Sequence, residues 1–598
     1  MPESGPVAAD SVVADSSRLL RETRVRREDV LRVLLGAIAG LAVFFSYGFD
    51  HCLSPRYIGW LLHDTQGGPQ NWYYDPGTSY VGWQYFRHAP WQFPPGTNRA
   101  YGMEFASSIV FSDSCPVFSF LFKPFSHWLG SNFQYVGIWV LTCFLMQGIF
   151  GALLASKVVR GALPTFLVAA FFAFSPVLQE RAWTEYFEMA HWLVLWGIYL
   201  YFTERSGPLR WEWIFPVALA VNSHFYFVPM VLSLWAADVV KSLFRRTLTF
   251  RFFLAEGALV AATLFACMWL AGYFLVSVKD TQTNAFGIFA ANLLGFIDPW
   301  GNSQFLRPQP HSPVWKGEGY CYLGLGMILL CAIALFEWIR RPVQWKAVLY
   351  ALPVMVVLAG LAAFSLSNTV ALGSHVVLKL HDFWGRLGPI FRASGRMTWP
   401  AFYGIYLGAF YLALRGMRPW KTSVVLAVLL SIQIADLWPN YLTMHDRYAT
   451  TRTWTFPLTD GFWRPAMRRY KQVVVVPSGH ILPYIPLAYL GAKYQIPTNA
   501  AYINRYPGTD VIGPISDARL QNLLNDRLDP DTLYVIPETD RFCTIARGLS
   551  KEHGIGRINQ YNIIAPDWFA GGKPAGAGSV VPAGGAAAQA LLARIGGA

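Results

Sequence analysis

Eleven apolar segments, separated by short polar connectors, occupy the chain from residue 31 to residue 437. We predict that each segment is a membrane-spanning helix, although several are shorter than the roughly 20 apolar residues that a span ordinarily needs. The segments 211–222 and 224–240 are treated as two spans, because the basic connectors on either side of them require two crossings. The predicted spans are 31–49, 134–154, 163–178, 190–203, 211–222, 224–240, 252–276, 321–337, 347–364, 399–414 and 422–437.

Basic residues in alternate connectors orient these spans. Lys and Arg are concentrated before the first span and in the connectors 155–162, 203–212, 241–251, 338–346 and 415–421. Basic residues near span ends stay cytoplasmic. We therefore predict a cytoplasmic N-terminal tail over residues 1–30. An odd number of spans then places residues 438–598 on the outer face, together with all 12 histidines.

The residues after the last span have a different pattern. Apolar β-branched runs at 473–477 and 532–537 are typical of strands, and the periodicity at 483–494, 515–528 and 540–549 predicts helices. We expect an α/β domain over residues 438–570. The Gly/Ala-rich tail 571–598 is expected to be disordered, apart from a short helix at 589–594. The predicted fold class is an all-α polytopic membrane domain (31–437, with a large outer loop at 50–133) plus this C-terminal α/β domain.

One further apolar stretch, residues 106–127, is not counted as a span. It contains Asp113, Pro116 and Lys123, and counting it would invert every later connector against the distribution of basic residues. We predict an in-plane or re-entrant element on the outer face.

Composition excludes several functions. The chain is 54% hydrophobic and 14% charged, and much of its net charge of +13 lies in the connectors, so nucleic-acid binding is not expected. It has no Walker A loop, GxSxG elbow, HExxH or GxGxxG motif. Its seven cysteines include no CxxC, although Cys52 and Cys115 could form a disulfide in an oxidising compartment.

The first outer loop contains a candidate base. Asp75 precedes Pro76, a pair that favours the start of a helix. We expect this helix to lie along the membrane. Its first carboxylate either caps the helix or accepts a proton from a lipid-borne substrate. Asp50 and Asp64 are weaker candidates.

Further acidic residues follow in the outer segments. Asp113 lies in an apolar stretch, where an ionisable group is costly unless it is paired or functional. The second outer loop brings Glu185, Glu188 and His191 together. Glu185 and His191 are candidate site residues, whereas Glu188 is expected at the surface.

Three basic residues complete the candidates. Arg392 and Arg396 are four residues apart just before the span 399–414, and they would share one face of a helix. Arginines at such an interface grip phosphate through forked hydrogen bonds, or they extend to lipid headgroups. His224 lies between two short spans and could line a cavity.

These features together resemble the GT-C superfamily of integral-membrane glycosyltransferases, in particular a bacterial branch of it. The resemblance covers most of residues 31–440 and rests on the long outer loop and on the segments GWQYFRHAPWQFPPG (82–96), SSIVFSDSCPVFSFLFKPF (107–125), EGYCYLGLG (318–326) and FRASGRMTWP (391–400). It implies a polyprenyl-phosphate sugar donor, a periplasmic active site and a multi-pass inner-membrane protein with a periplasmic C-terminus. Asp75 would be the base, Glu185 a second acid, and Arg392 or Arg396 a donor-phosphate ligand. The chain lacks the paired acids of some members at Asp75, so a divalent metal is possible but not required.

We therefore expect an inverting glycosyltransferase that moves a sugar from a polyprenyl-phosphate donor to a lipid or glycan acceptor of the cell envelope. Asp75, Asp113 and Glu185 are the candidate catalytic residues. Arg392, Arg396, His191 and His224 are the candidate donor ligands, and no metal ligand is predicted. Two alternatives stay open: a transporter or flippase for lipid-linked glycans, and a non-catalytic envelope scaffold.

Overall fold

A helical bundle forms the first part of the protein, and a small mixed sheet forms the last part. The computed structural model describes residues 7–63, 75–205, 207–277, 286–310, 317–381, 383–385, 387–479, 483–572 and 578–596. Asp64, one of the weaker candidates, lies outside these ranges.

The bundle contains seventeen of the described helices and one two-stranded hairpin. Its helices are α1 (Val7–Ser46), α2 (Gly59–Leu62), α3 (Asp75–His88), α4 (Pro116–Phe122), α5 (Val136–Ala155), α6 (Ala162–Ala173), α7 (Pro176–Arg181), α8 (Trp192–Phe202), α9 (Ile214–Ser223), α10 (Phe227–Phe244), α11 (Phe250–Ala271), α12 (Leu325–Arg340), α13 (Trp345–Ser365), α14 (Leu387–Ile390), α15 (Trp399–Leu414), α16 (Pro419–Asp436) and α17 (Trp438–Ala449). The hairpin, which the sequence did not predict, pairs β1 (Thr369–Leu372) with β2 (His375–Lys379).

A helix occupies each of the eleven positions predicted for a span. Among the described residues, five helices are long and apolar enough to cross a membrane: the Arg27–Ser46 part of α1, and α5, α10, α11 and α13. The pair α16 and α17, bent by 65°, makes a sixth if it counts as one span. These helices identify a membrane protein. The number of crossings and their orientation stay predictions.

The stretch 106–127 contains only the seven-residue helix α4 and a short 3-10 turn, Lys123–Phe125. Neither is long enough to span a bilayer. The break between the spans predicted at 211–222 and 224–240 is also present, because the backbone at His224 is extended and separates α9 from α10.

Glycines bring α1 and α5 into close contact. A Cβ added at Gly36 or Gly40 would lie within 3.0 Å of the α5 backbone at Gly148 or Phe144, respectively. Small residues spaced four apart allow apolar helices to approach in this way, and van der Waals packing then stabilises the pair. The first helix is therefore firmly attached to the bundle.

Several basic residues used to orient the spans are buried. Arg205 binds Glu256 at 2.8 Å, Arg210 binds Asp238 at 3.1 Å, and Lys241 binds Asp238 at 2.8 Å. The buried carboxylates at positions 238 and 256 require such partners, because an unpaired charge inside an apolar bundle is costly. These ion pairs connect α10 and α11 to the 203–212 connector, so its arginines are not free to bind lipid headgroups.

The C-terminal region contains α18 (Trp463–Arg469), β3 (Gln472–Val475), α19 (Tyr484–Tyr494), α20 (Thr509–Leu524), β4 (Thr532–Val535), α21 (Thr539–Gly548), β5 (Gly554–Ile558), β6 (Tyr561–Ala565), β7 (Val581–Pro582) and α22 (Ala586–Gly596). The strand order is β3-β4-β6-β5-β7, with β3 and β4 parallel and the other pairs antiparallel. The α/β character predicted for these residues is confirmed.

In the tail from residue 571, the short helix predicted at 589–594 is present within α22, but the disorder predicted for the rest is wrong for the described residues that form β7 and the remainder of α22. Val581 pairs with Ile555 at the edge of the sheet, and α22 buries Leu591, Leu592 and Ile595 against it. The Gly/Ala-rich composition concealed these few apolar residues, which are spaced to cover one face of a helix.

The C-terminal region packs against the first outer loop. The backbone amide of Gly102 donates to the Thr498 carbonyl at 2.8 Å, and that of Thr498 donates to the Ala100 carbonyl at 2.9 Å. Tyr85 of α3 donates to the Ile496 carbonyl at 2.9 Å. The helix predicted to begin at Asp75 is confirmed. Its residues 76–87 are all buried, so the helix does not lie exposed along a membrane. All seven cysteines are free thiols, including Cys52 and Cys115.

Candidate active site

A cavity of about 370 Å³ lies where the helical bundle meets the C-terminal region. We call it the central cavity. Its polar lining includes Asp75, Asp113, Glu185, Glu188, His224, Glu318, Arg392, Arg396, Asn504 and Arg505. Its apolar lining includes Phe111, Met268, Phe274 and Val276.

Six of the seven residues singled out from the sequence line this cavity, and His191 does not. The His191 ring is fully buried, lies 4.3 Å from the Trp399 ring, and exchanges a hydrogen bond with the Tyr403 hydroxyl at 2.9 Å. The ring contacts Trp399 and Tyr403 and does not line the cavity, so its predicted role as a donor ligand gains no support from this arrangement. A structural role in packing α8 against α15 accounts for its burial.

Asp75 occupies the first position of α3, at the cavity wall. Among the described residues, its carboxylate has no hydrogen-bond or ion-pair partner. Burial raises the pKa of this carboxyl to about 7, and the negative charges of Asp113 and Glu188 add to the rise. A carboxyl group with a pKa near neutrality exchanges a proton readily at physiological pH.

Asp113 faces the same cavity from a tight loop. Its backbone has a φ of +47°, a left-handed conformation that non-glycine residues adopt only when the surroundings impose it. The loop packs closely on α3, because Gly82 leaves room for Ser112 and because the Ser114 hydroxyl donates to the Ser79 carbonyl at 2.7 Å. This packing positions Asp113 on the same side of the cavity as Asp75.

The Asp113 carboxylate, unlike that of Asp75, has partners. The Asn504 side-chain amide donates to it, and His224 Nε2 lies 4.0 Å from it. Burial raises the pKa of Asp113, while His224 and Asn504 oppose the rise. His224 Nε2 also lies 3.5 Å from Glu188 Oε1, so the histidine bridges two acidic parts of the cavity.

A buried ion cluster forms the next part of the wall. It consists of three carboxylates (Glu185, Glu188 and Glu318) and two guanidinium groups (Arg181 and Arg396). Glu318 accepts hydrogen bonds from Nη2 and Nε of Arg396 at 2.9 Å each, and from Nη1 of Arg181 at 3.0 Å. Glu188 binds Arg181 at 3.2 Å and also binds Arg396, and Glu185 binds both arginines.

The charges in this cluster are unequal. The carboxylates outnumber the guanidinium groups by one, so the cluster is negative unless one carboxyl holds a proton. Burial raises the pKa of Glu188 against the opposing charges of Arg396 and Arg181. Burial also opposes the ionisation of Glu318, but the two arginines outweigh it and hold the Glu318 pKa at about 2.

The same three carboxylates have oxygen atoms within 4.8 Å of one another, a spacing at which a metal ion could be held. Each carboxylate is already ion-paired with Arg181 or Arg396. The two guanidinium groups occupy the ligand oxygens, and their positive charges repel a cation. The donor set therefore does not suit a divalent ion, and we assign none.

Arg392 and Arg396, which the sequence placed on one helix face, have different surroundings. Arg396 belongs to the 3-10 turn Ser394–Thr398, whereas Ala393 has a non-helical backbone and separates Arg392 from it. Arg396 is 9% exposed and fully engaged in the ion cluster. Among the described residues, Arg392 has no carboxylate partner, although it lines the same cavity.

The C-terminal region supplies a second arginine that lines the cavity without a carboxylate partner among the described residues. Arg505 donates to the carbonyls of Ile390 at 3.0 Å and Asn504 at 3.1 Å, and among the described residues it binds no carboxylate. Burial lowers the pKa of Arg505, and the neighbouring charge of Arg392 lowers it further. Two neighbouring arginines that form no direct ion pair with a described carboxylate make this part of the cavity suitable for an anionic group.

Sequence reasoning missed several members of this site. Glu188, expected at the surface, is 6% exposed. Glu318 and Arg181 received no role, although Glu318 opens the segment 318–326 that contributed to the family resemblance. Asn504 and Arg505 follow no recognisable motif. Only the packing of the C-terminal region on the first outer loop brings them to the cavity.

The chain belongs to the family described as Domain of unknown function (DUF6311), whose profile matches residues 37–438. The companion profile, DUF6311 C-terminal domain, matches residues 462–566. No curated protein matches the chain. Among solved structures, the crystal structure of the Archaeoglobus fulgidus oligosaccharyltransferase in the apo form is similar with a TM-score of 0.37, at 11% identity, over 88% of this chain and 73% of that chain. At a score this low the likeness does not establish a common fold, so the chemistry is inferred from the cavity.

Proposed function

We propose that the protein is a membrane glycosyltransferase that transfers a sugar from a polyprenyl-phosphate carrier to an acceptor hydroxyl in the cell envelope, with inversion at the anomeric carbon. The observation that carries this proposal is the division of charge in the central cavity. Asp75, whose carboxylate has no partner among the described residues, and a second carboxylate, Asp113, face the cavity. So do Arg392 and Arg505, neither of which is ion-paired with a carboxylate in the described part of the chain.

The apolar wall supports a lipid carrier. Met268 and Phe274 lie in α11 and just after it, and both line the cavity. This helix is mostly unburied and carries large exposed side chains such as Phe265 (63% exposed), and Phe274, just after it, is 52% exposed. An apolar surface of this kind faces lipid in a membrane protein. A polyprenyl chain could therefore lie against α11 while its phosphate enters the cavity.

The proposed reaction uses the cavity residues as follows. Asp75 accepts the proton of the acceptor hydroxyl, and the hydroxyl oxygen attacks the anomeric carbon from the face opposite the phosphate. The bond between that carbon and the phosphate oxygen breaks, and its electron pair stays on the phosphate. Arg392 and Arg505 neutralise the departing phosphate, which is the electrostatic part of the catalysis.

The other polar residues act indirectly in this scheme. Asn504 and His224 hold the Asp113 carboxylate near Asp75. The pKa of Asp75 is raised mainly by burial, and the negative charge of Asp113 raises it further. Arg396, Glu185, Glu188 and Glu318 form a rigid wall rather than a phosphate site. Glu185 is therefore a positioning residue in this proposal. The proposal also includes the orientation that the basic connectors predict: the protein lies in the inner membrane and its central cavity faces the periplasm.

The proposal is tested by glycan analysis of cells that lack the gene. We expect the deletion to remove one envelope glycan modification and to cause its polyprenyl-linked sugar to accumulate, both measured by mass spectrometry. The Asp75→Asn variant should fail to restore the modification, since removing a general base usually costs about 10²–10⁴ in rate. Asp50→Asn is the matched control, because Asp50 is about half exposed and lies outside the cavity.

Two outcomes would contradict the proposal. Full restoration by Asp75→Asn would remove Asp75 as the base and leave it a helix-capping residue. An unchanged glycan and lipid profile in the deletion would favour the envelope scaffold. The transporter alternative predicts a different result: the linked sugar would accumulate on the cytoplasmic face only.

A further inference from the structure

We propose that a second cavity, in the C-terminal region, binds a neutral carbohydrate and that this carbohydrate belongs to the acceptor. The assignment to the acceptor rests on the proposed function; the binding site does not. This side cavity has a volume of about 600 Å³ and is lined by Ser478, Tyr502, Tyr506, Thr509, Gly513 and Asp517, among others.

The side cavity lies where ligands usually bind in α/β structures. Strands β3 and β4 are parallel, and Ser478 follows the carboxyl end of β3. The opposite wall is formed by the first turns of α20, including Thr509 and Gly513. The crevice beyond the carboxyl ends of parallel strands is the general location of ligand sites in open α/β sheets. Its volume is within the range of small-molecule pockets.

The lining indicates the chemical class of the ligand. Among the described residues no Lys or Arg lines the side cavity, and Arg519, which donates to Ser478 Oγ at 3.2 Å, is ion-paired with Glu104. The side cavity is therefore poorly suited to phosphate or another anion. The rings of Tyr502 and Tyr506 are 6.4 Å apart at an angle of 69°, which provides two apolar faces for the C–H faces of a sugar. Asp517 is exposed, has no hydrogen-bond or ion-pair partner among the described residues, and can accept hydrogen bonds from sugar hydroxyls.

The two cavities share a wall. Tyr502 lines both of them, and Asn504 and Arg505, which follow it closely in the chain, line the central cavity. The Tyr101 hydroxyl donates to the Tyr502 carbonyl at 3.3 Å, and the Asn504 amide donates to the Phe111 carbonyl at 2.8 Å. This segment is thus fixed to the first outer loop. A glycan held in the side cavity can extend past Tyr502 and present a hydroxyl to Asp75.

The test is ligand-observed NMR on the full-length protein in lipid nanodiscs. The probes are methyl glycosides of glucose, galactose, mannose and rhamnose. We expect saturation transfer from the protein to the C–H protons of at least one of them. Gly513→Trp should reduce that signal at least five-fold, because no described atom lies within 4 Å of a Cβ added at Gly513 and the indole would fill the cavity.

The matched control is Gly461→Trp. Gly461 also has no described atom within 4 Å of an added Cβ, but it lies outside the side cavity. This variant should keep the wild-type signal, as should Asp75→Asn. The thermal unfolding midpoints of both tryptophan variants are compared with that of the wild type to confirm that they fold.

Three results separate this inference from the proposed function. If no glycoside binds at millimolar concentration, or if Gly513→Trp binds as well as the wild type, the side cavity is not a carbohydrate site. If binding depends on Gly513 but Asp75→Asn restores the glycans of deletion cells, the carbohydrate site stands and the assigned base is wrong. If Gly513→Trp loses binding and still restores those glycans fully, the bound sugar is not the acceptor.

Discussion

Arg392 and Arg396 are only four residues apart, yet the structure predicts opposite consequences for replacing them with methionine. Arg396→Met leaves the three largely buried carboxylates of the ion cluster with one arginine, so two negative charges lack a counter-charge when all three are ionised. Removing one member of a buried ion pair typically costs about 3–5 kcal/mol, and Arg396 binds three carboxylates. We expect the free energy of unfolding to fall by about that amount.

The measurement is unfolding in mixed detergent–SDS micelles, followed by tryptophan fluorescence at pH 7. The double variant Arg396→Met/Glu318→Gln supplies the decisive comparison, because it removes one of the two uncompensated charges. It should recover about 1–3 kcal/mol of the loss, a coupling of the size found between neighbouring residues of one network. If the stability losses of Arg396→Met and Glu318→Gln simply add in the double variant, the assignment of Arg396 to the ion cluster is refuted.

Arg392→Met should leave the free energy of unfolding within about 0.5 kcal/mol of the wild type, because Arg392 has no ion-pair partner among the described residues. It should instead weaken the binding of undecaprenyl phosphate. A hydrogen bond to a charged group contributes about 1.5–3 kcal/mol, which corresponds to roughly 10–100-fold in Kd. The reverse pattern, with Arg392 required for stability and Arg396 for binding, would refute this reasoning.

Two further predictions concern protonation and packing. Asp75→Asn should be more stable than the wild type by about 1–2 kcal/mol above pH 7, allowing for solvent screening. Because the pKa of Asp75 is raised in the folded protein, the wild type loses stability as the pH rises from about 4 to 7. The difference in free energy of unfolding between the variant and the wild type should therefore vanish near pH 4. It is measured by unfolding both proteins at pH 4 and above pH 7. Gly40→Leu should destabilise the protein by about 1–3 kcal/mol, because its Cβ would collide with the Phe144 carbonyl of α5. The control Gly360→Leu, with no described atom within 4 Å of the added Cβ, should change stability little, and equal effects of the two would contradict the close packing of α1 on α5.

The helices could be predicted from the sequence because their signal is local. A helix is found at each of the eleven positions that the apolar runs predicted for a span. The start of α3 was predictable because Asp75 and Pro76 favour that start over any neighbouring position. Of the helix α22, only residues 589–594 were predicted, because its few apolar residues are diluted by alanine and glycine.

The candidate site was predictable only in part, because its members come together through long-range packing. Asp75, Asp113, Glu185 and the arginines were conspicuous as polar residues beside apolar segments. Nothing in the local sequence distinguishes Arg392 from Arg396, and their separation depends on the non-helical backbone at Ala393. The contribution of Asn504 and Arg505 depends on backbone hydrogen bonds between the segments around residues 100 and 498.

The most direct test of the proposed function is transfer by the purified protein. Proteoliposomes would be supplied with lipid extract from deletion cells, in which the linked sugar is expected to accumulate, and with envelope glycans from the same cells. We predict that the wild-type protein consumes the polyprenyl-linked sugar and releases polyprenyl phosphate, as measured by mass spectrometry. Asp75→Asn should do so at least a hundred-fold more slowly, and Asp50→Asn at the wild-type rate. A linked sugar that stays unchanged in the presence of the wild-type protein would contradict the glycosyltransferase proposal.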